Sequence, residues 1–199
     1  MVKYEQIGRC CNVWIVICYF IANINGAYMV TKWQKGADIR TLGSGTGGAR
    51  NAGRVLGKPA FVWTVVIDAL KVILPLSLFL YLSASPIIIG FSVIALITGH
   101  IWPLLLKGRG GKGIVVYLAA LLMLEPLGLI LFGLIAFIAS ITPMPFSKVM
   151  IAAMAIPPLL TIWQGDLWVG LCLGIGYCLV VIAHTLPVHP RLSIKEEQI

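Results

Sequence analysis

Two glycine-rich basic runs hold most of this chain's polar chemistry. The first is Gly43-Ser44-Gly45-Thr46-Gly47-Gly48-Ala49-Arg50-Asn51, followed by Gly53, Arg54, Gly57 and Lys58. Glycine lets backbone amides turn toward an anion with no side chain in the way, and Ser44 and Thr46 add hydroxyl donors. Phosphate is the occupant such a run suits. Arg50 and Arg54 are four residues apart, so on a helix they share a face and can reach one phosphate together. The competing reading is a flexible loop whose arginines meet lipid headgroups. ATP is disfavoured, because no lysine and hydroxyl pair ends the run and no strand is expected before it.

The second run is Gly99-His100-Ile101-Trp102-Pro103, then Lys107-Gly108-Arg109-Gly110-Gly111-Lys112-Gly113. Three cations and four glycines precede an apolar segment whose expected helix start offers free amides and a favourable dipole to an anion. His100 ends a span just before Pro103, where an imidazole can orient a substrate hydroxyl or accept its proton; a structural histidine is the plainer alternative. Asp68 and Lys71 interrupt another apolar run three residues apart, a spacing that suits an intramembrane ion pair. Asn23 and Asn25 interrupt the first run and suit hydrogen bonds between helices.

These loops need a scaffold, and the composition says which kind. Only 11% of the 199 residues are charged and 59% are hydrophobic, against roughly 25% charged in soluble domains. A bilayer core takes about 20 apolar residues per helix. Apolar stretches occur at 13 to 30, 60 to 82, 86 to 106, 114 to 124, 127 to 141, 149 to 162 and 167 to 183. The first resembles a signal sequence in length, but no small-residue cleavage site follows it, so a retained span is expected. The expectation is an all-α integral membrane protein, with residues 1–199 as one polytopic domain of about seven transmembrane helices. Glu125 and Pro126 alone separate the fourth and fifth stretches, so a single kinked helix there is the alternative. Cys10, Cys11, Cys18, Cys172 and Cys178 show no metal-type spacing and suggest no disulfide framework. No metal or cofactor is expected.

Lysine and arginine mark the cytoplasmic face. With seven spans, one face collects Lys32, Lys35, Arg40, Arg50, Arg54, Lys58, Lys107, Arg109, Lys112, Lys148, Arg191 and Lys195, and the other only Lys3 and Arg9. Both glycine loops should therefore be cytoplasmic, with the N-terminus outside and the C-terminus inside.

The loops resemble those of the bacterial acyl-phosphate-dependent glycerol-3-phosphate acyltransferase family, the PlsY type. That family's first motif reads close to GSGNxGATN, and this chain has GSGTGGARN from Gly43 to Asn51. Its second reads close to GHxxPxxxxFxGGKG, and this chain has GHIWPLLLKGRGGKG from Gly99 to Gly113. Thr46 replaces the usual asparagine, Arg50 a threonine and Gly108 an aromatic residue. His184 and Glu196 fit the frame of a C-terminal motif beginning close to HRxN, whose asparagine position holds Pro187. The serine-rich stretch after the fifth span is poorly kept around Ser147. The chain is thus identified as a divergent member.

The resemblance implies acyl transfer from acyl phosphate to the 1-hydroxyl of sn-glycerol 3-phosphate, giving lysophosphatidic acid and phosphate in phospholipid synthesis at the bacterial cell membrane. His100, Ser44 and Lys112 are the expected catalytic group. Gly43, Gly45, Thr46, Arg50, Asn51, Lys107, Arg109, Gly110, Gly111 and His184 would hold substrate phosphate. Membrane lipids are the expected partners, and nucleic acid is not. Two other classes of function compete: a transporter of phosphate or anionic lipid that performs no chemistry, and an inactive paralogue.

Overall fold

The computed structural model describes residues 13–143 and 145–186. Lys3, Arg9, Cys10, Cys11, Pro187, Arg191, Lys195 and Glu196 lie outside the described residues. The described residues are helical and include no strand. The helices are α1 (13–22), α2 (Gly26–Lys35), α3 (Ala49–Leu56), α4 (Lys58–Tyr81), α5 (Pro86–Ile101), α6 (Ile114–Leu124), α7 (Pro126–Ile141), α8 (Phe146–Ala153), α9 (Ile156–Trp163) and α10 (Leu167–Thr185). Four segments are long and apolar enough to cross a membrane alone, Val13–Lys35, Lys58–Tyr81, Pro86–Leu106 and Leu167–Thr185. Ile114–Leu124, Pro126–Ile141 and Ser147–Trp163 are shorter.

Each apolar stretch read from the sequence contains a helix, yet the passes are not uniform. α1 and α2 form one pass broken at Asn23-Ile24-Asn25, because asparagine side chains compete for the backbone. Asn25 Oδ1 accepts from Tyr28 N at 2.8 Å and so caps α2, while Asn23 Nδ2 donates to Tyr19 O at 2.7 Å. α6 has only 11 residues, about 16 Å at 1.5 Å per residue, too short for a bilayer of roughly 30 Å. The second glycine loop makes up the difference by folding back toward the α1–α2 break. Leu105 N donates to Asn23 Oδ1 at 3.1 Å, and the Tyr19 hydroxyl donates to Trp102 O at 2.8 Å.

Glu125 separates α6 from α7, which are antiparallel helices and not one kinked helix. Its carboxylate accepts from Gly128 N, capping α7, and from Thr161 Oγ1 and Gln164 Nε2 at the end of α9. Toward the other end of α6, the Tyr117 hydroxyl donates to Met154 O at 3.0 Å, so the α8–α9 segment runs alongside α6 in the same direction. Gly128 packs on Pro157, and later residues of α7 lie against α8, so α7 runs from Glu125 in the opposite direction.

Leu76, Leu96, Ile97, Tyr117, Leu121 and Leu173, from α4, α5, α6 and α10, are fully buried at the centre. Outward-facing Leu74, Phe91, Ile130, Phe137 and Leu159 are exposed, as expected of a surface whose solvent is lipid. The Trp14 and Phe79 rings meet edge to face, with centroids 6.2 Å apart, at the end of α4 remote from the glycine loops. Ala183 and Leu186, at the end of α10, border the loops themselves. The two ends of the described chain therefore lie at opposite ends of the bundle.

Candidate functional site

The first glycine run is shaped by a buried asparagine. Asn51, on α3, is 1% exposed. Its Oδ1 accepts from Ser44 N at 2.8 Å, and its Nδ2 lies 3.2, 3.0 and 3.0 Å from the carbonyls of Ile39, Leu42 and Thr46. That amide is engaged by the loop it organises, so Asn51 shapes the cradle from behind and does not line it. The Ser44 and Thr46 hydroxyls are 3.0 Å apart. Among the described residues the partner of Ser44 Oγ is Thr46, and no imidazole or carboxylate bonds to it.

The second run is joined to the first through the backbone. Gly47 N donates to Gly110 O at 3.1 Å, and Asn25 Nδ2 donates to Gly47 O at 2.8 Å. Gly111 N donates to His100 O and Gly110 N to Ile101 O, both at 3.1 Å, folding the loop back on the end of α5. Only glycine permits this approach: a methyl on Gly110 would overlap the His100 carbonyl, and one on Gly111 would overlap the His100 imidazole.

A second connection is made by Arg40. Arg40 pairs with Asp38 at 2.6 Å, donates to the Leu106 carbonyl and lies 5.7 Å from the Tyr28 ring centroid. Partial burial works against ionisation of Asp38, but the Arg40 hydrogen bonds and charge outweigh it and hold the carboxyl below its usual range. The hydrogen bond to Asp38, opposed by partial burial, keeps the Arg40 guanidinium above its own.

Between the joined loops and the end of α10 lies a cleft of about 110 Å³. Drug-sized ligands take roughly 300–1,000 Å³, so this space suits a headgroup and not a whole lipid. Its polar side is Gly45, Thr46, Gly108, Arg109, Gly110, Gly111 and Lys112, and its apolar side Ile101, Trp102, Ala183 and Leu186. Among the described residues two cations and no carboxylate line it, a balance that favours an anion.

The cleft thus brings together Gly45, Thr46, Arg109, Gly110, Gly111 and Lys112 of the expected residues. Gly43 and Ser44 stand behind Thr46, and Gly43 is held against Asn51. Arg50 and Lys107 are exposed and do not line the cleft. His184 is on the last turn of α10 beside Ala183, with Nδ1 donating to Val180 O at 2.8 Å. His100 is 3% exposed beneath Gly111 and does not line the cleft.

His100 instead joins the two intramembrane charges. Lys71 Nζ lies 2.8 Å from Asp68 Oδ1, 2.8 Å from His100 Nδ1 and 2.6 Å from Ile24 O, and Asp68 Oδ1 also accepts from Gly26 N at 3.1 Å. The ion pair therefore serves backbone groups freed by the α1–α2 break. Sequence reasoning missed this link to His100, although the interruptions at Asn23, Asn25, Asp68 and Lys71 were its signals. It also missed Ile101, Trp102, Ala183 and Leu186, which carry no signal in a chain this apolar.

The family model described as Glycerol-3-phosphate acyltransferase matches residues 12–190. A solved structure of PlsY (YgiH), an integral membrane glycerol 3-phosphate acyltransferase in its glycerol 3-phosphate form, superposes with a TM-score of 0.78. That match has 25% identity and covers 88% of both chains. Its lysophosphatidic acid form, at 22% identity and a TM-score of 0.76, has the same fold. Glycerol-3-phosphate acyltransferase 1 of Bacillus thuringiensis subsp. konkukian (strain 97-27) is 43% identical over 113 residues, 57% of this chain and 62% of that protein. The glycerol-3-phosphate acyltransferase of Thermoanaerobacter sp. (strain X514) is 38% identical over 135 residues, 67% of this chain and 65% of that one. These matches span less than two thirds of the length of either curated relative. With the family's own pattern running through nearly the whole chain, from α1 past the end of α10, this multi-pass membrane protein belongs to the glycerol-3-phosphate acyltransferase family.

Proposed function

We propose that this protein transfers an acyl group from acyl phosphate to the 1-hydroxyl of sn-glycerol 3-phosphate, on the cytoplasmic side of a bacterial cell membrane. The observation that carries the reading is the joining of both glycine loops into one cleft lined by the cations Arg109 and Lys112. Family membership supplies the chemistry that such a cleft would serve. Each reactant brings a phosphate, so a basic cleft at the membrane surface can neutralise headgroups while an acyl tail lies among apolar helices.

Acyl phosphate is a mixed anhydride and is already activated. The hydroxyl oxygen bonds the acyl carbon, the bond from that carbon to the phosphate oxygen breaks, and the hydroxyl proton leaves with inorganic phosphate. No acyl-enzyme is required. The protein's part is to align hydroxyl and carbonyl and to neutralise charge. The Thr46 hydroxyl orients a phosphate oxygen, the side-chain-free Gly110-Gly111 segment leaves room for it, and Lys112 and Arg109 supply the positive charge. Purified protein given palmitoyl phosphate and glycerol 3-phosphate should form lysophosphatidic acid. Absence of that product from folded protein would reject the reading.

A further inference from the structure

The buried contacts of Lys71 determine what His100 can do. A lysine ammonium has three N–H bonds and no lone pair. Lys71 Nζ has three acceptors, Ile24 O at 2.6 Å, Asp68 Oδ1 at 2.8 Å and His100 Nδ1 at 2.8 Å. If each takes one proton, His100 Nδ1 must be the unprotonated nitrogen and Nε2 must carry the hydrogen. In the opposite arrangement Nδ1–H donates to a neutral amine. That leaves the Asp68 carboxylate, 1% exposed, with no counterion, and a buried unpaired charge is costly.

The Nε2 end of the ring reaches Gly111, where a methyl would overlap it, and it has no hydrogen-bond partner among the described residues. The neighbouring polar groups are otherwise engaged. Gly111 N donates to His100 O, Asn25 Nδ2 to Gly47 O, and the Tyr19 hydroxyl to Trp102 O. Nε2 is not one of the fully buried unpaired atoms, which among the described residues are Thr31 Oγ1 and Ser92 Oγ, and it abuts Gly111 of the cleft wall, where an acceptor entering the cleft can reach it.

We propose that Lys71 and Asp68 are positioning residues that hold His100 as the neutral Nε2–H tautomer, so that it donates to an oxygen of the phosphate-bearing substrate and does not act as a base. The substrate half of this inference rests on the proposed acyl transfer; the tautomer half does not. A donor fixed in this way adds to charge neutralisation without itself gaining or losing a proton during the reaction.

The test is nitrogen-15 NMR of detergent-solubilised full-length protein labelled at histidine. The chain has three histidines, His100, His184 and His189, and His100→Gln assigns the signal by removing it. The expected wild-type spectrum shows an unprotonated Nδ1 and a protonated Nε2 at His100, and saturating glycerol 3-phosphate shifts the Nε2 signal. Lys71→Met should release the ring into a mixture of tautomers and lower kcat about ten- to a hundredfold. If that variant does not fold, the wild-type spectrum still decides. A protonated Nδ1 in wild type, or an Nε2 signal unmoved by glycerol 3-phosphate, overturns the inference. A protein with the expected tautomer and ligand shift that forms no lysophosphatidic acid upholds the positioning role and overturns only the proposed reaction.

Discussion

Lys112 is the residue on which the phosphate reading depends most. It is half-buried in the cleft wall just before α6, beside Gly110 and Gly111, whereas Lys58 is exposed at the start of α4. Lys112→Met keeps much of the stem and removes the charge. A charge-assisted hydrogen bond contributes roughly 1.5 to 3 kcal/mol, so turnover should fall about ten- to a hundredfold. Lys112→Arg should fall between wild type and Lys112→Met, because a planar fork does not reproduce a point charge. Lys58→Met should have little effect, and steady-state kinetics of the three variants would check this. Equal losses at the two lysines would assign the effect to the basic surface as a whole. Composition and spacing pointed to Thr46, Arg109, Gly110, Gly111 and Lys112 as a group because glycine and cation chemistry is written in the residue types. They did not separate Lys112 from Lys107, or Asn51 from a ligand, because residue type does not say which way a side chain points.

At the scale of elements, the loops work only while joined. Arg40 spans them, paired to Asp38 beneath the first loop and bonded to the Leu106 carbonyl of the second. Arg40→Met should leave the helices intact and lower kcat/KM about tenfold, by loosening a cleft wall that Gly47 and Gly110 then hold alone. The sign of the pH dependence follows from Asp38. Its carboxyl is held below the usual range in the folded protein, so the clasp contributes stability above the unfolded-state pKa and loses it as pH falls through the folded value. The difference in thermal midpoint between wild type and Arg40→Met should be constant from neutral pH down to the ordinary carboxylate range and shrink below it. A difference that grows on acidification would contradict this role. No signal in the sequence tied Arg40 to residue 106, since contacts across 66 residues depend on how the helices close.

The whole molecule places its polar groups in two layers. Both glycine loops and the end of α10 share one end of the bundle, and the Glu125 cluster with Thr161 and Gln164 lies toward the other. Apolar run length made the helices legible, and the one-sided lysine and arginine count made the orientation an expectation. The short α6 was not legible as a consequence of a loop folding back into the bundle, because run length carries no depth. If the loop face is cytoplasmic, a tag after residue 199 should be reached by probes only in opened cells, and a tag before residue 1 in intact ones. Both tags on one side would contradict the seven-pass arrangement.

Direct transfer between two phosphate-bearing reactants is the central claim. It is tested most directly by phosphorus-31 NMR of the purified protein with acyl phosphate, first alone and then with glycerol 3-phosphate. Acyl phosphate alone should persist, and adding glycerol 3-phosphate should release inorganic phosphate and form lysophosphatidic acid one for one. A stoichiometric burst of phosphate from acyl phosphate alone, with the acyl group left on the protein, would contradict it.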